Sequence, residues 1–171
     1  MRSQGFTLIE LVCVIVILGC LTAIAVPRFL NLTDAAGRAS VEKHAHAFTM
    51  AVQFVRMRYD LSRRSGAVDN LAGFASGNVD TNTSGYPVDT ANGNAIPNNL
   101  TGATRCRNVF AAIIAGPAPI CGGNLACNES HDFQARTVSA QTCRFDYIED
   151  TEPARFFIYN ATTGVVLTTN P

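Results

Sequence analysis

One carboxylate stands inside an otherwise uncharged segment near the N-terminus. Glu10 is followed by residues 11–26, which carry no charge and are mostly apolar. A helix rises about 1.5 Å per residue, so residues 6–26 span roughly 31 Å, the thickness of the hydrocarbon layer of a bilayer. An ionised side chain within such a span is costly unless a positive group neutralises it. Glu10 is therefore predicted to be a functional residue.

The chain has six cysteines, which fall into two groups. Cys13 and Cys20 lie seven residues apart in the apolar segment and are interpreted as small apolar side chains on one helix face. The other four lie later in the chain, at Cys106, Cys121, Cys127 and Cys143. An even number of thiols predicts two disulfides in an oxidising compartment. Zinc is the competing interpretation, but no C-x₂-C pair is present, so no metal is predicted.

The sequence does not contain the motifs of the commonest catalytic sites. It has no G-x-S-x-G, no phosphate-binding loop and no H-E-x-x-H. His44 and His46 are two residues apart and cannot share a helix face, so together with His131 they are interpreted as surface or boundary residues. The sequence predicts a protein that is not an enzyme and holds no cofactor.

A long helix is predicted to position the N-terminal segment. Residues 28–64 continue the helical pattern and place one apolar face at Val41, Ala45, Phe48, Val52, Val55 and Tyr59. Met50, Phe54 and Met57 lie outside this face, and their packing within the domain or against another subunit stays open. Gly19 and Pro27 loosen the helix, so a kink or a locally extended stretch is predicted between them.

The remainder of the chain predicts an α+β domain. Residues 65–104 are rich in glycine and asparagine, which predicts a long irregular connection with turns at 85–87 and 91–93. A short helix over 104–115, with Thr104 as its N-cap, is followed by a cysteine loop over 116–133. Alternating apolar residues then predict antiparallel strands within 134–171.

The segment Gly5-Phe6-Thr7-Leu8-Ile9-Glu10 follows a short leader with one arginine. It resembles the prepilin signal of type IV pilins and type II secretion pseudopilins, and residues 14–19 and 27–32 are most similar to pilins of the mannose-sensitive haemagglutinin (MSHA) type. The resemblance implies that a prepilin peptidase cuts after Gly5 and that Phe6 is N-methylated. It also implies that Glu10 pairs with the N-terminal amine of a neighbouring subunit during filament assembly.

The same resemblance implies an organisation for the whole chain. Residues 1–5 would be the leader, 6–27 a transmembrane and filament-core helix, 28–64 its amphipathic half and 65–171 the globular head. The pilin fold packs such a helix on a small antiparallel sheet. In related filaments the region around Gly19 and Pro27 can lose helical structure.

The resemblance also implies a location and partners. The chain would cross the inner membrane once with its head in the periplasm, and later lie in a pilus on the cell surface. Its partners would be other pilin subunits, the prepilin peptidase and methylase, and the pilus assembly platform. Nucleic acid is not expected, because removal of Arg2 leaves 12 basic against 13 acidic residues, a net charge of −1.

Four cysteines allow three pairings, of which Cys106 with Cys143 and Cys121 with Cys127 is favoured. Cys106 lies on the apolar face of the short helix, and Cys143 alternates in phase with Phe145, so both face the predicted interface of helix and sheet. Cys121 and Cys127 are close along the chain. Similar minor pilins carry cysteines at both places.

Three alternative functions remain open at the level of sequence. A secretion pseudopilin has the same N-terminal segment. A DNA-uptake or adhesive tip subunit would use surface arginines, namely Arg63, Arg64, Arg105 and Arg107. A secreted soluble protein would be cut before Val26, since Ala23-Ile24-Ala25 resembles an ordinary signal peptidase site.

Overall fold

The computed structural model describes residues 7–74, 77–90, 100–149 and 155–170, without the side chain of residue 30. Helix α1 covers Leu8–Leu61 and helix α2 covers Ala103–Ile113. The strands are β1 (Asp80–Thr81), β2 (Pro87–Asp89), β3 (Ile120–Cys121), β4 (Phe133–Ser139), β5 (Thr142–Tyr147), β6 (Phe156–Asn160) and β7 (Val165–Thr169). The chain divides into two compact units, Met1–Ala36 and Gly37–Pro171, which are described separately.

In the first unit, α1 is helical at every described residue from Leu8 onward, including Gly19 and Pro27. The locally extended stretch predicted there is therefore not found. A proline within a helix removes one backbone hydrogen bond, and the turns on either side keep theirs. Near Gly19 the hydroxyl of Thr22 also donates to the carbonyls of Leu18 (3.0 Å) and Gly19 (3.0 Å).

In the second unit, α1 buries the apolar face that the sequence predicts. The side chains on that face, Val41, Ala45, Phe48, Val52, Val55 and Tyr59, are all buried. Phe48 lies at the centre, with its ring 5.3 Å from Phe145 on β5 and 6.0 Å from Phe110 on α2. Aromatic rings at such distances pack tightly and bury large apolar areas. This cluster holds α1, α2 and the sheet together.

The sheet that faces this cluster has five strands in the order β3-β4-β5-β6-β7. Strands β4 to β7 are antiparallel neighbours, with Phe145 opposite Phe157. The architecture is α+β, with a long N-terminal helix packed on an antiparallel-rich sheet, as the sequence predicts. One strand differs: β3 lies within the predicted cysteine loop and pairs with β4 in parallel. Its two residues are too few to show a strand pattern in the sequence.

Part of the predicted irregular connection forms paired strands in the structure. Residues 66–74 and 77–90 contain the β1–β2 hairpin and a backbone bridge from Val68 to Thr81. Its apolar side chains, Val68, Leu71, Val79 and Val88, are buried. They occur singly among glycines and asparagines, so they form no periodic pattern in the sequence. The predicted turn at 91–93 lies outside the described residues.

Gly85 is a glycine because its backbone lies close to the ring of Tyr59. Gly85 has a φ of 77°, and a Cβ at this position would collide with the ring of Tyr59. The hydroxyl of Tyr59 donates to the carbonyl of Gly66 at 2.8 Å. Tyr59, near the end of α1, thereby contacts the segment at both Gly66 and Gly85. Helix α2 differs from prediction at its start, because its N-cap is Gly102 and not Thr104.

Candidate assembly site

The structure places Glu10 in the first turn of α1, in reciprocal hydrogen bonds with Thr7. The carboxylate oxygen Oε2 accepts from the Thr7 amide at 2.8 Å and from the Thr7 hydroxyl at 2.7 Å. In return, the Glu10 amide donates to Thr7 Oγ1 at 3.3 Å. This arrangement is a capping box, which satisfies amides that the helix itself leaves unpaired.

Sequence reasoning missed this role of Thr7, although the T-x-x-E spacing that signals a capping box is present in the sequence. The cap explains how a carboxylate can be held at a defined place at the end of an apolar helix. Both side chains are exposed in the chain by itself. Glu10 is therefore fixed in position and open to a cation from another molecule. Gly5 and Phe6 lie outside the described residues.

The apolar segment that follows Glu10 is uncovered on all sides. Its large side chains have between 41% exposure at Val12 and 65% at Ile24. Among the described residues, α1 is the helix long and apolar enough to cross a membrane. A continuous apolar surface of this size is not stable in water and indicates a membrane or a covering of protein. Cys13 and Cys20 are free thiols on this exposed surface.

The second unit has a second apolar face on α1, outside the buried one. Met50, Phe54, Met57 and Leu61 are between 49% and 75% exposed and follow one another at spacings of four, three and four. Phe74, the last residue of α2 (Ile113) and the two residues after it (Ile114 and Ala115) border the same face and form an open groove of about 250 Å³. The spacing is that of a helix face that packs on a partner.

Two disulfides hold the second unit. Cys106 of α2 is bonded to Cys143 of β5, with Cα atoms 5.6 Å apart, and both residues are fully buried. Cys121 of β3 is bonded to Cys127, with Cα atoms 5.1 Å apart, and closes a short loop. The first bond fastens α2 to the sheet, and the second stays within its own loop. The structure therefore contains the pairs that the sequence favours.

Two of the four arginines considered for nucleic acid binding are engaged within the fold. Arg105 Nε lies 2.9 Å from Asp89 Oδ2. Arg107 donates to the carbonyl of Gly122 at 3.1 Å and to Asn124 Oδ1 at 3.0 Å. Side chains that are committed to internal contacts are poorly available for phosphates. The described surface therefore does not favour the nucleic acid interpretation.

Comparison with known proteins bears on the N-terminal segment. Residues 1–26 match the family described as the prokaryotic N-terminal methylation motif. Over 51 residues, which are 30% of this chain, it is 61% identical to the type IV narrow pilus major component PilA5 of Thermus thermophilus. Residues 1–26 therefore carry the N-terminal methylation motif. The chain covers 44% of the length of that relative, and no solved structure matches it.

The fold is consistent with that of type IV pilins. A type IV pilin has a long N-terminal helix packed on an antiparallel-rich sheet, which is the arrangement of α1 with β3 to β7. The match to the methylation motif ends at Val26, just before Pro27 of α1. The apolar part of α1 thus coincides with the segment that matches the motif.

Proposed function

We propose that this chain is a structural subunit of an MSHA-like type IV pilus, a minor pilin of the MshB kind, that serves surface attachment. The observation that carries the proposal is Glu10, capped at the start of a helix whose N-terminal apolar segment exposes its large side chains. Such a helix has two stable environments, the bilayer before assembly and a protein core afterwards. The disulfides support a second unit that works outside the cytoplasm.

Assembly uses the charge of Glu10 and the amine that leader removal creates. Cleavage after Gly5 gives a chain that starts at Phe6, with a positive amine one residue before the capping Thr7. A carboxylate among apolar helices is costly by itself, and a cation from a neighbouring subunit removes most of that cost. Because opposite charges attract more strongly at low dielectric, this pair favours subunits that dock in one register. N-methylation of the amine leaves its positive charge in place.

Filaments sheared from the cell surface test the proposal directly. The chain is expected among the filament proteins, at lower abundance than the major subunit, with an intact mass that corresponds to residues 6–171 plus one methyl group. Filaments from cells without prepilin peptidase activity provide the control, since the chain should then keep residues 1–5 and stay in the membrane. A mature chain that begins at Val26 would show that the segment is an ordinary secretory signal.

Gene context and phenotype separate the pilin from its nearest rival. A type II secretion pseudopilin has the same N-terminal segment and would be encoded beside secretion-channel components. Loss of the chain is expected to reduce surface filaments and attachment and to leave protein secretion intact. Loss of secretion with normal filaments would instead assign the chain to a pseudopilus.

The exposed face of α1 gives a second prediction about assembly. Replacing Phe54, which is 51% exposed, by glutamine removes apolar surface from the face that includes Met50 and Met57. Stability should change by about 0.5 kcal/mol or less, because the side chain is not in the core. Incorporation into sheared filaments should fall about threefold or more, because burial of such side chains drives association.

The matched control for this variant is Gln53→Ala, one residue away on α1 and also exposed. It should fold and assemble like the parent. Normal incorporation of the Phe54 variant would show that this face is not covered by another subunit in the filament.

A further inference from the structure

A buried acidic residue lies where residues 66–74 join the β1–β2 hairpin. The join is made by backbone hydrogen bonds, from Val68 to the carbonyl of Thr81 at 3.0 Å and from Leu71 to the carbonyl of Val79 at 2.8 Å. Between them, the amide of Asn70 donates to the side chain of Asp80 (Oδ1) at 2.9 Å. Asp80, which is 1% exposed, therefore replaces a backbone acceptor in this ladder.

Two further carboxylates lie next to Asp80. Asp89 is its partner in the register of β1 and β2 and is 4% exposed. The side chain of Asp69 lies within hydrogen-bonding range of that of Asp80. Asp69 Oδ1 is buried and has no hydrogen-bond partner among the described residues. Because two carboxylates are both acceptors, a hydrogen bond between these side chains needs a proton on one of them. The more deeply buried Asp80 is the residue on which we place that proton.

Two arginines near this cluster contact groups other than Asp80. Arg105 of α2 pairs with Asp89 at 2.9 Å, and the amide of Thr90 donates to the other oxygen of that carboxylate at 2.8 Å. Arg58 of α1 donates to the carbonyl of Ala72 at 2.7 Å. Among the described residues, the groups that act on the ionisation of Asp80 are Asn70, Asp69 and Asp89, none of which is a cation.

The surroundings of Asp80 raise its pKa, so that it loses its proton in a mildly acidic pH range. Burial raises the pKa of the Asp80 carboxyl from 3.8 to about 6, helped by the hydrogen bond and negative charge of Asp69 and by the charge of Asp89. The hydrogen bond from the Asn70 amide acts in the opposite direction. The charged form of Asp80 is disfavoured because it would be a buried carboxylate next to that of Asp89, and no cation acts on its ionisation.

We propose that Asp69 and Asp80 form a proton-binding site that fastens residues 66–74 to the β1–β2 hairpin in mildly acidic surroundings and loosens them near neutral pH. When the shared proton leaves, the hydrogen bond between the carboxyl groups becomes a repulsion between two carboxylates. The backbone bonds on either side, at Val68 and Leu71, then lose their support. The site does not depend on the proposed function of the chain.

A consequence for assembly rests on the proposed function. The loosened segment ends at Phe74, which lines the groove beside Phe54 and Met50 on the exposed face of α1. Release of the segment therefore changes the shape of that groove. In a filament, the protonation of Asp80 would act on the same face that is proposed to contact another subunit.

The direction of the effect follows from linkage. The pKa of Asp80 in the folded chain, about 6, is above its ordinary value of 3.8. The stabilising contribution of the proton is therefore complete below about pH 4 and is lost as the pH rises through about 6. Because the folded form binds the proton more tightly, acidification strengthens this part of the structure.

Hydrogen exchange of the full chain in detergent micelles tests the proposal. Amide exchange of residues 66–74, corrected for the intrinsic pH dependence of exchange, should be about tenfold faster at pH 7.5 than at pH 5; the pKa difference allows on the order of 100-fold. Residues 142–147 of β5 should not change between the two conditions. The variant Asp80→Asn mimics the protonated acid and should keep slow exchange in residues 66–74 at both pH values.

Asp60→Asn is the matched control, because Asp60 is an exposed aspartate on α1 paired only with Arg56 in the same helix. It should show the pH dependence of the parent. If Asp80→Asn does not fold, Asp69→Asn tests the same bond and should also remove the pH dependence. A pH dependence that persists in either folded variant would overturn the proposal.

Two other outcomes would also overturn it. One is exchange in residues 66–74 of the parent that does not depend on pH after the intrinsic correction. The other is a return to slow exchange at pH 7.5 on addition of millimolar calcium, with no such effect in Asp80→Asn. That result would assign the carboxyl pair to a divalent cation instead of a proton.

Discussion

Replacing Glu10 by glutamine is expected to remove the protein from sheared filaments while leaving its amount in the membrane unchanged. The change preserves the helix cap, because glutamine at this position can accept the same hydrogen bonds from Thr7 that the carboxylate accepts. It removes only the negative charge. The loss should exceed tenfold, since a charge pair formed in apolar surroundings contributes several kcal/mol to docking in the correct register.

Membrane insertion and filament assembly should respond differently to this substitution. A neutral side chain lowers the cost of placing the segment in the bilayer, so membrane level and cleavage after Gly5 should not suffer. Assembly suffers because the amine of the neighbouring subunit is then left without its partner among apolar helices. Glu10→Ala should behave in the same way and also lose the cap.

Thr7→Ala separates capping from charge. It removes the hydroxyl that donates to Glu10 and accepts from its amide but leaves the carboxylate. Loss of a cap costs about 1 kcal/mol of helix stability, so incorporation should fall only a few-fold. Incorporation of Glu10→Gln at the level of the parent, measured by quantitative mass spectrometry of filaments, would contradict a charge-pairing role. Equal defects in Glu10→Gln and Thr7→Ala would assign Glu10 to capping alone.

The parts of this fold that were predictable from sequence are those with a repeated pattern. The buried face of α1 repeats every three or four residues from Val41 to Tyr59, and the inward side chains of β5 and β6, among them Phe145 and Phe157, alternate. The repeat in α1 is long enough to indicate a helix, and the alternation in β5 and β6 indicates strands. The apolar segment and the motif at Gly5 to Glu10 are also local features, which can be recognised in the sequence without knowledge of any tertiary contact.

The remaining features depend on contacts between residues far apart in the chain. Strand β3 has two residues and exists because it pairs with β4, and the hairpin of β1 and β2 is ordered by α1 and α2. Asp80 lies 11 residues after Asp69 and 9 residues before Asp89. This spacing alone does not indicate that the three side chains lie together. Glycine and asparagine in this segment meet the needs of tight turns, and the same composition is typical of loops without order.

Replacing Cys143 by serine is expected to reduce the yield of folded protein far more than replacing Cys127. The bond from Cys106 to Cys143 closes a separation of 37 residues, and the bond from Cys121 to Cys127 closes 6. On loop entropy, the longer bond contributes about 3–4 kcal/mol and the shorter about 2–3 kcal/mol. Burial widens the gap, because serine at Cys143 places a hydroxyl in the core, whereas Cys127 is exposed.

The position of each bond explains why their effects should differ beyond entropy. Cys106 belongs to the buried face of α2, beside Phe110, whose ring lies 5.2 Å from that of Phe145. Without the bond, α2 is held to the sheet by this packing and by its contacts with β3, β4 and β5. Cys121 and Cys127 bracket a loop at the surface, and their loss leaves the aromatic cluster in place.

The double variant Cys106→Ala/Cys143→Ala is the control for mispairing, because it leaves no unpaired thiol among the four. Its midpoint of thermal unfolding should fall well below that of Cys121→Ala/Cys127→Ala, with both compared to the parent under non-reducing conditions. Equal losses in the two double variants would show that α2 does not depend on its bond to β5. Peptide mapping of the parent that joined Cys106 to Cys121 or to Cys127 would contradict the pairing itself, and with it the docking of α2 on the sheet.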